Sequence, residues 1–167
     1  MKLNSPETDK NIFVTLSKLN FYIMSESTNK LPKGFWAIGI IALIWNLMGV
    51  YSYLQQAYMT DEAMAALPEA QQEIMQATPA WVTAAFALAV FGGTLGSILL
   101  LMRKKLAVPV FGISLGSIIA QMGYGLGIAK SYEVFGAQAF ILPIILIVIG
   151  VFLYMYSKKQ REAGLLI

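Results

Sequence analysis

The chain has 167 residues, 57% of them hydrophobic and 13% charged, with a formal net charge of +3. Soluble domains carry about 25% charged residues, so a water-soluble domain is excluded, and the length allows one domain. Cys and His are absent, which excludes disulfides, thiol chemistry and Cys-based metal sites and removes the commonest general base, metal ligand and haem ligand.

Residues 1–23 stand apart. They lack the long apolar core and small-residue cleavage site of a signal peptide. Ile12, Leu16, Leu19 and Ile23 fall on one face of a helix. Met24 opens MSESTNKLPKGFW, a short polar tail with two lysines before the first apolar run. Two readings of 1–23 stay open: a native amphipathic piece, or an extension ahead of a start at Met24.

Four segments reach the roughly 20 apolar residues that a bilayer crossing needs. They are Phe35–Leu54, Ala80–Met102, Leu106–Ala129 and Val134–Tyr156, and none contains Asp, Glu, Lys or Arg. The fold class expected is an all-α integral membrane protein, a four-transmembrane-helix bundle. It comprises a tail over 1–32, a membrane domain over 33–157 and a tail over 158–167.

Charge predicts orientation. From Met24 onward, Lys30, Lys33, Arg103, Lys104, Lys105, Lys158, Lys159 and Arg161 lie on one side, with only Glu26 and Glu162 against them. The other side carries Asp61, Glu62, Glu69, Glu73 and Glu133 with Lys130. The positive-inside rule puts both termini in the cytoplasm. In the outer loop over 55–79, Thr60 ahead of Asp61 and Glu62 reads as an N-cap with acids in the first turn. Pro68 suits the start of a second short helix.

A slide of 54 residues lays the second span on the fourth, and a slide of 74 lays the first on the third, matching Met48 to Met122 and Gly49 to Gly123. This would be a parallel two-plus-two repeat, a known transporter device. Chance likeness between apolar helices is the competing explanation.

In the first span, Gly39, Ala42, Asn46, Gly49, Tyr53 and Gln56 recur at steps of three and four, on one face. Ile40, Ile41, Ile44, Leu47 and Met48 lie opposite and suit lipid. The second span has Ala85, Ala89, Gly93 and Ser97, with Gly92 and Gly96 beside them. The third has Gly112, Gly116 and Ala120, flanked by Ser114, Ser117, Gln121 and Tyr124. Small residues at this spacing let membrane helices approach closely. The helix-packing residues expected are therefore Gly49, Gly92, Gly93, Gly96, Gly112 and Gly116.

Asn46 lies within about 2 Å of the middle of its span, and Gln121 about 5 Å outward from the middle of its own. Amides in hydrocarbon need partners, and the simplest packing lets these two face one another. The preferred reading is interhelical glue. The sharper one is a cleft for a neutral solute, lined by Asn46, Tyr53, Gln56, Gln121 and Tyr124. With no intramembrane acid, base or histidine, ion coupling is not expected. No nucleophile–base pair or carboxylate pair is evident, so neither an enzyme nor a cofactor or metal is expected. Expected partners are the bilayer, further copies or a larger membrane complex, and no nucleic acid.

Three strings carry a resemblance: Trp45, Asn46 and Gly49 in the first span; Pro79, Ala80 and Trp81 at the mouth of the second; and Gly92, Gly93, Gly96, Ser97 and Arg103 to Lys105 at its exit. Over about residues 33–162 the chain resembles a family of small uncharacterised bacterial four-helix inner-membrane proteins, some loosely labelled "sugar transporter". The resemblance implies fold and membrane location. It brings no catalytic or binding residues with it.

Overall fold

The computed structural model describes residues 10–19, 31–32 and 34–167, with Gln138 in its backbone only. Helix α1 covers 10–19, and its Ile12, Phe13, Leu16 and Leu19 are exposed. Ile23, Met24, Lys30 and Lys33 lie outside the described residues. The described remainder is helical without strands: α2 (Phe35–Ala57), α3 (Asp61–Ala65), α4 (Glu69–Ala77), α5 (Ala80–Leu101), α6 (Ala107–Gly127), α7 (Tyr132–Phe135) and α8 (Gln138–Glu162). Four of these, α2, α5, α6 and α8, are long and apolar enough to cross a membrane. The protein is an all-α, multi-pass membrane protein.

Helix ends follow local chemistry. Helix α2 continues to Ala57 rather than Leu54, because no Gly or Pro interrupts Tyr51–Ala57. The Thr60 hydroxyl then accepts from Ala63 N at 3.2 Å and caps α3, as expected. Pro68 and Pro79 stand at the N-cap positions of α4 and α5.

The fourth span starts at Gln138, not Val134. Gly136 takes a φ of +58° and separates the one-turn α7 from α8. Helix α8 then runs on through Lys158–Glu162. It stops in a Schellman motif: Gly164, at φ +71°, donates to Arg161 O, and Leu165 N donates to Gln160 O.

The four long helices form a row. Helix α5 packs between α2 and α6, and α6 packs between α5 and α8. No comparable contact joins α2 to α6 or to α8. The most apolar window of α5 is 33% buried, against 11% for α2 and for α8, so α5 is central and the two outer helices are flanks. Each neighbouring pair runs antiparallel. Along α2, Gly39 meets Leu101, Gly49 meets Val90 and Tyr53 meets Phe86.

Among the described residues the row closes at one end. There Phe35, Leu100, Ala107, Val108, Phe111, Leu153 and Leu166 form one buried cluster beside Arg103–Lys105. Residues 163–167, expected as a tail, fold back over the α5–α6 turn. Leu165 and Leu166 are buried, Arg103 Nε donates to Leu165 O at 2.8 Å, and Lys105 N donates to Ile167 O at 3.1 Å. This basic end is sealed, while among the described residues no comparable contact bridges the gap between α2 and α8.

The slides of 54 and 74 residues do not describe the packing. They carry Asn46 and Gly49, which face α5, onto Ala120 and Gly123, which are exposed on α6. At these two positions the halves differ, although α2 with α5 and α6 with α8 both pack as neighbours.

Candidate functional site

Asn46 turns towards α5. Its Nδ2 donates to Ala42 O one turn back at 2.8 Å and reaches Ser97 Oγ at 3.5 Å. Ser97 is fully buried and donates to Gly93 O at 2.8 Å. Asn46 Oδ1 fills the space that a Cβ at Gly93 would take. Asn46 thus crosses to a helix that lacks a side chain at the point of contact. No hydrogen bond to Gln121 is present among the described residues, and the facing pair of amides does not form. The expectation missed Ser97 as partner, although it lay in the row Ala85, Ala89, Gly93, Ser97; a hydroxyl in a row of small residues was the signal.

The glycines divide by neighbour. A Cβ on Gly92 would meet Ser114 Cβ at 3.3 Å, and one on Gly96 would meet the Phe111 ring at 2.9 Å, so these two join α5 to α6. Gly93 and Gly49 join α5 to α2, with Val90 Cγ1 at 3.0 Å from a Cβ on Gly49. Gly112 meets Tyr154 of α8 at an ordinary 3.4 Å. A Cβ on Gly116 would meet nothing within 4 Å, so among the described residues it joins no pair of helices. The buried Ser114 hydroxyl reinforces the α5–α6 contact by donating to Ala89 O at 2.6 Å.

Two cavities lie inside the row. The inner one, about 360 Å³, is bounded by all four long helices, and Asn46, Gly49, Ser114 and Gln121 lie on its wall among Phe, Leu, Ile, Val and Met side chains. The outer one, about 200 Å³, sits beneath α4 towards the acidic end, and Gln56, Thr78, Thr83, Gln121, Tyr124 and Ser131 reach it. Phe86, Gln121 and Met122 belong to both walls. Among the described residues no Asp, Glu, Lys or Arg lines either space.

Of the five candidate residues, four reach this pair of cavities. Tyr53 does not; it packs edge-on against Phe86 at 5.5 Å and Phe91 at 5.7 Å. Tyr124 is partly engaged, with its hydroxyl donating to Ala77 O at 3.3 Å and its ring edge-on to Trp81. Gln56 is exposed at the outer mouth, and Gln121 is half-buried. The Gln121 amide has no hydrogen-bond partner among the described residues. What the arrangement offers chemically is neutral hydrogen bonding above an apolar chamber. Among the described residues no group of His, Cys, Asp or Glu is placed to hold a metal.

Comparison with protein-family models, with curated proteins and with solved structures finds no match for this chain.

Proposed function

We propose that this protein is a non-catalytic accessory or assembly protein of a bacterial inner membrane, with its basic end in the cytoplasm. It associates with further copies or with a larger complex through the open face of α6. The single observation that carries the reading is the row Gly116, Ala120, Gly123 and Gly127. All four are exposed, and a Cβ on any of the three glycines would meet nothing within 4 Å. Helix α5 uses its own small residues within the chain; α6 leaves these unused. They recur at steps of four, three and four, the spacing at which membrane helices approach backbone to backbone. The orientation rests on the charge distribution and the bacterial setting on the family resemblance.

The chain has no native Cys, so one introduced thiol reports association cleanly. Ala120→Cys in native membranes is expected to form a disulfide-linked dimer on oxidation, or to cross-link a stoichiometric partner. Gly116→Leu in the same chain should abolish the product. A monomer with no cross-link and no co-purifying partner would overturn the reading.

A second reading, a carrier of a neutral polar solute such as a sugar, draws support from Asn46, Gln56, Gln121 and Tyr124 lining two cavities that share a wall. Purified protein in liposomes would then take up labelled sugar, and Gln121→Leu would stop it. No uptake by the unmodified chain removes this reading.

A further inference from the structure

The two cavities differ in the chemistry of their walls. The inner one lies at bilayer depth beside α2 and α8, which share no contact comparable to those of neighbouring helices: Met48 of α2 and Leu142 of α8 both line it and are more than half exposed, so among the described residues it communicates with the lipid-facing surface through the α2–α8 gap. Its polar groups are mostly spent, since Asn46 Nδ2 and Ser114 Oγ already donate to backbone carbonyls. At about 360 Å³ it exceeds twice the roughly 150 Å³ of an apolar cavity that admits benzene. The outer cavity has the larger share of polar residues, with hydroxyls and amides from four helices or their connections; the Thr78 and Tyr124 hydroxyls donate to Ile74 O and Ala77 O, while the amides of Gln56 and Gln121 are without a partner among the described residues. Gln121 stands at the common wall with its amide unpartnered among the described residues, so its donors and acceptor are available to a bound molecule.

We propose that the two cavities form one binding site for a single-chain amphiphile drawn from the bilayer. Its hydrocarbon chain lies in the inner cavity. Its uncharged head, of hydroxyl or amide type, lies in the outer one and bonds to Gln121. The head is uncharged because, among the described residues, no ionised side chain lines either wall. An anionic head is disfavoured further by Asp61, Glu62, Glu69 and Glu73 on the two short helices at that end. A free sugar would leave the apolar chamber unfilled. The site is separate from the open row on α6, because Ser114, Ile118 and Gln121 turn towards the cavities while Gly116 and Gly123 do not.

The test uses the full chain in liposomes with a monoacylglycerol carrying a diazirine in its chain. Labelled peptides are mapped after irradiation. Saturable labelling at Met48, Met122 and Leu146 is expected, displaced by unlabelled monoacylglycerol but not by glycerol or by a fatty acid of equal length. Gln121→Leu should raise the half-saturating concentration about tenfold, the size of one lost hydrogen bond. Leu146→Trp, which fills the chamber, should remove saturable labelling, while Ile145→Trp on the lipid side should not. If Leu146→Trp does not fold, the Gln121→Leu shift and the competition decide. Labelling that rises linearly and spreads over exposed Ile144 and Val148 would overturn the proposal. So would equal displacement by the fatty acid, or cross-links placing a second copy in the α2–α8 gap.

Discussion

The Asn46 carboxamide of α2 lies directly on the Cα of Gly93 in α5, and a Cβ at Gly93 would overlap Asn46 Oδ1. This contact explains both residues at once. The amide gains Ala42 O and Ser97 Oγ as partners, and α5 lacks a side chain where the amide crosses. Gly93→Ala is expected to destabilise the protein by about 1–3 kcal/mol, the usual cost of overpacking. Asn46→Ala alone should cost only about 0.6 kcal/mol, typical of a membrane hydrogen bond. The double variant should recover most of the Gly93→Ala loss, because contacting residues do not act additively. Thermal unfolding in detergent reads all three, and strictly additive losses would break the link.

Gly96 and Gly116 lie on helices α5 and α6 with opposite surroundings. Gly96→Ala drives a methyl to 2.9 Å from the rigid Phe111 ring and should lower the unfolding temperature. Gly116→Ala meets open space and should leave it unchanged. Equal losses in the two variants would contradict the division of the glycines.

Gly136 has nothing within 4 Å of a built Cβ, yet its φ of +58° with ψ of −138° is a conformation that L side chains rarely adopt. Gly136→Ala should therefore cost about 1–3 kcal/mol through the backbone alone. Gly127→Ala, helical and equally unobstructed, is the control. A neutral Gly136→Ala would mean that the α7–α8 corner relaxes without strain.

Leu166 is 2% exposed within the cluster that closes the basic end. Leu166→Ala should destabilise by about 2–5 kcal/mol, the range for a large-to-small change in a packed site. Arg103→Ala removes the bond to Leu165 O and should increase protease cleavage after Arg161. Unaltered stability in both variants would show that residues 163–167 do not hold that end.

Much of the fold was legible in one dimension. The four spans, the Thr60 cap, the exposed Ile40, Ile41, Ile44 and Leu47, and the small-residue rows of α5 were all readable, because hydropathy, capping and helical period are local properties; Met48, expected on the same face, lines the inner cavity. The start of α8 was not. A single Gly136 conformation moved it by one turn, and a lone glycine does not declare its φ. Nor was the return of Leu165 and Leu166 readable, although Gly164 after a basic last turn is a helix-stop signal.

The candidate site shows the same boundary. Helical period put Asn46, Gly49 and Tyr53 on one face and Gln121 and Tyr124 together on another, since residues three and four apart share a face whatever surrounds them. Period says nothing about which helix a face will meet. The packing turned Asn46 onto Gly93, set Tyr53 against Phe86 and, among the described residues, left Gln121 without a hydrogen-bond partner and Gly116 bare. It also kept α2 and α8 apart, so that a chamber opens between them. Apolar faces are interchangeable in lipid, because burying one against another helix gains little over leaving it in hydrocarbon. The choice of neighbour therefore falls to close-fitting small residues and a few hydrogen bonds between distant positions, and only the tertiary structure brings those together.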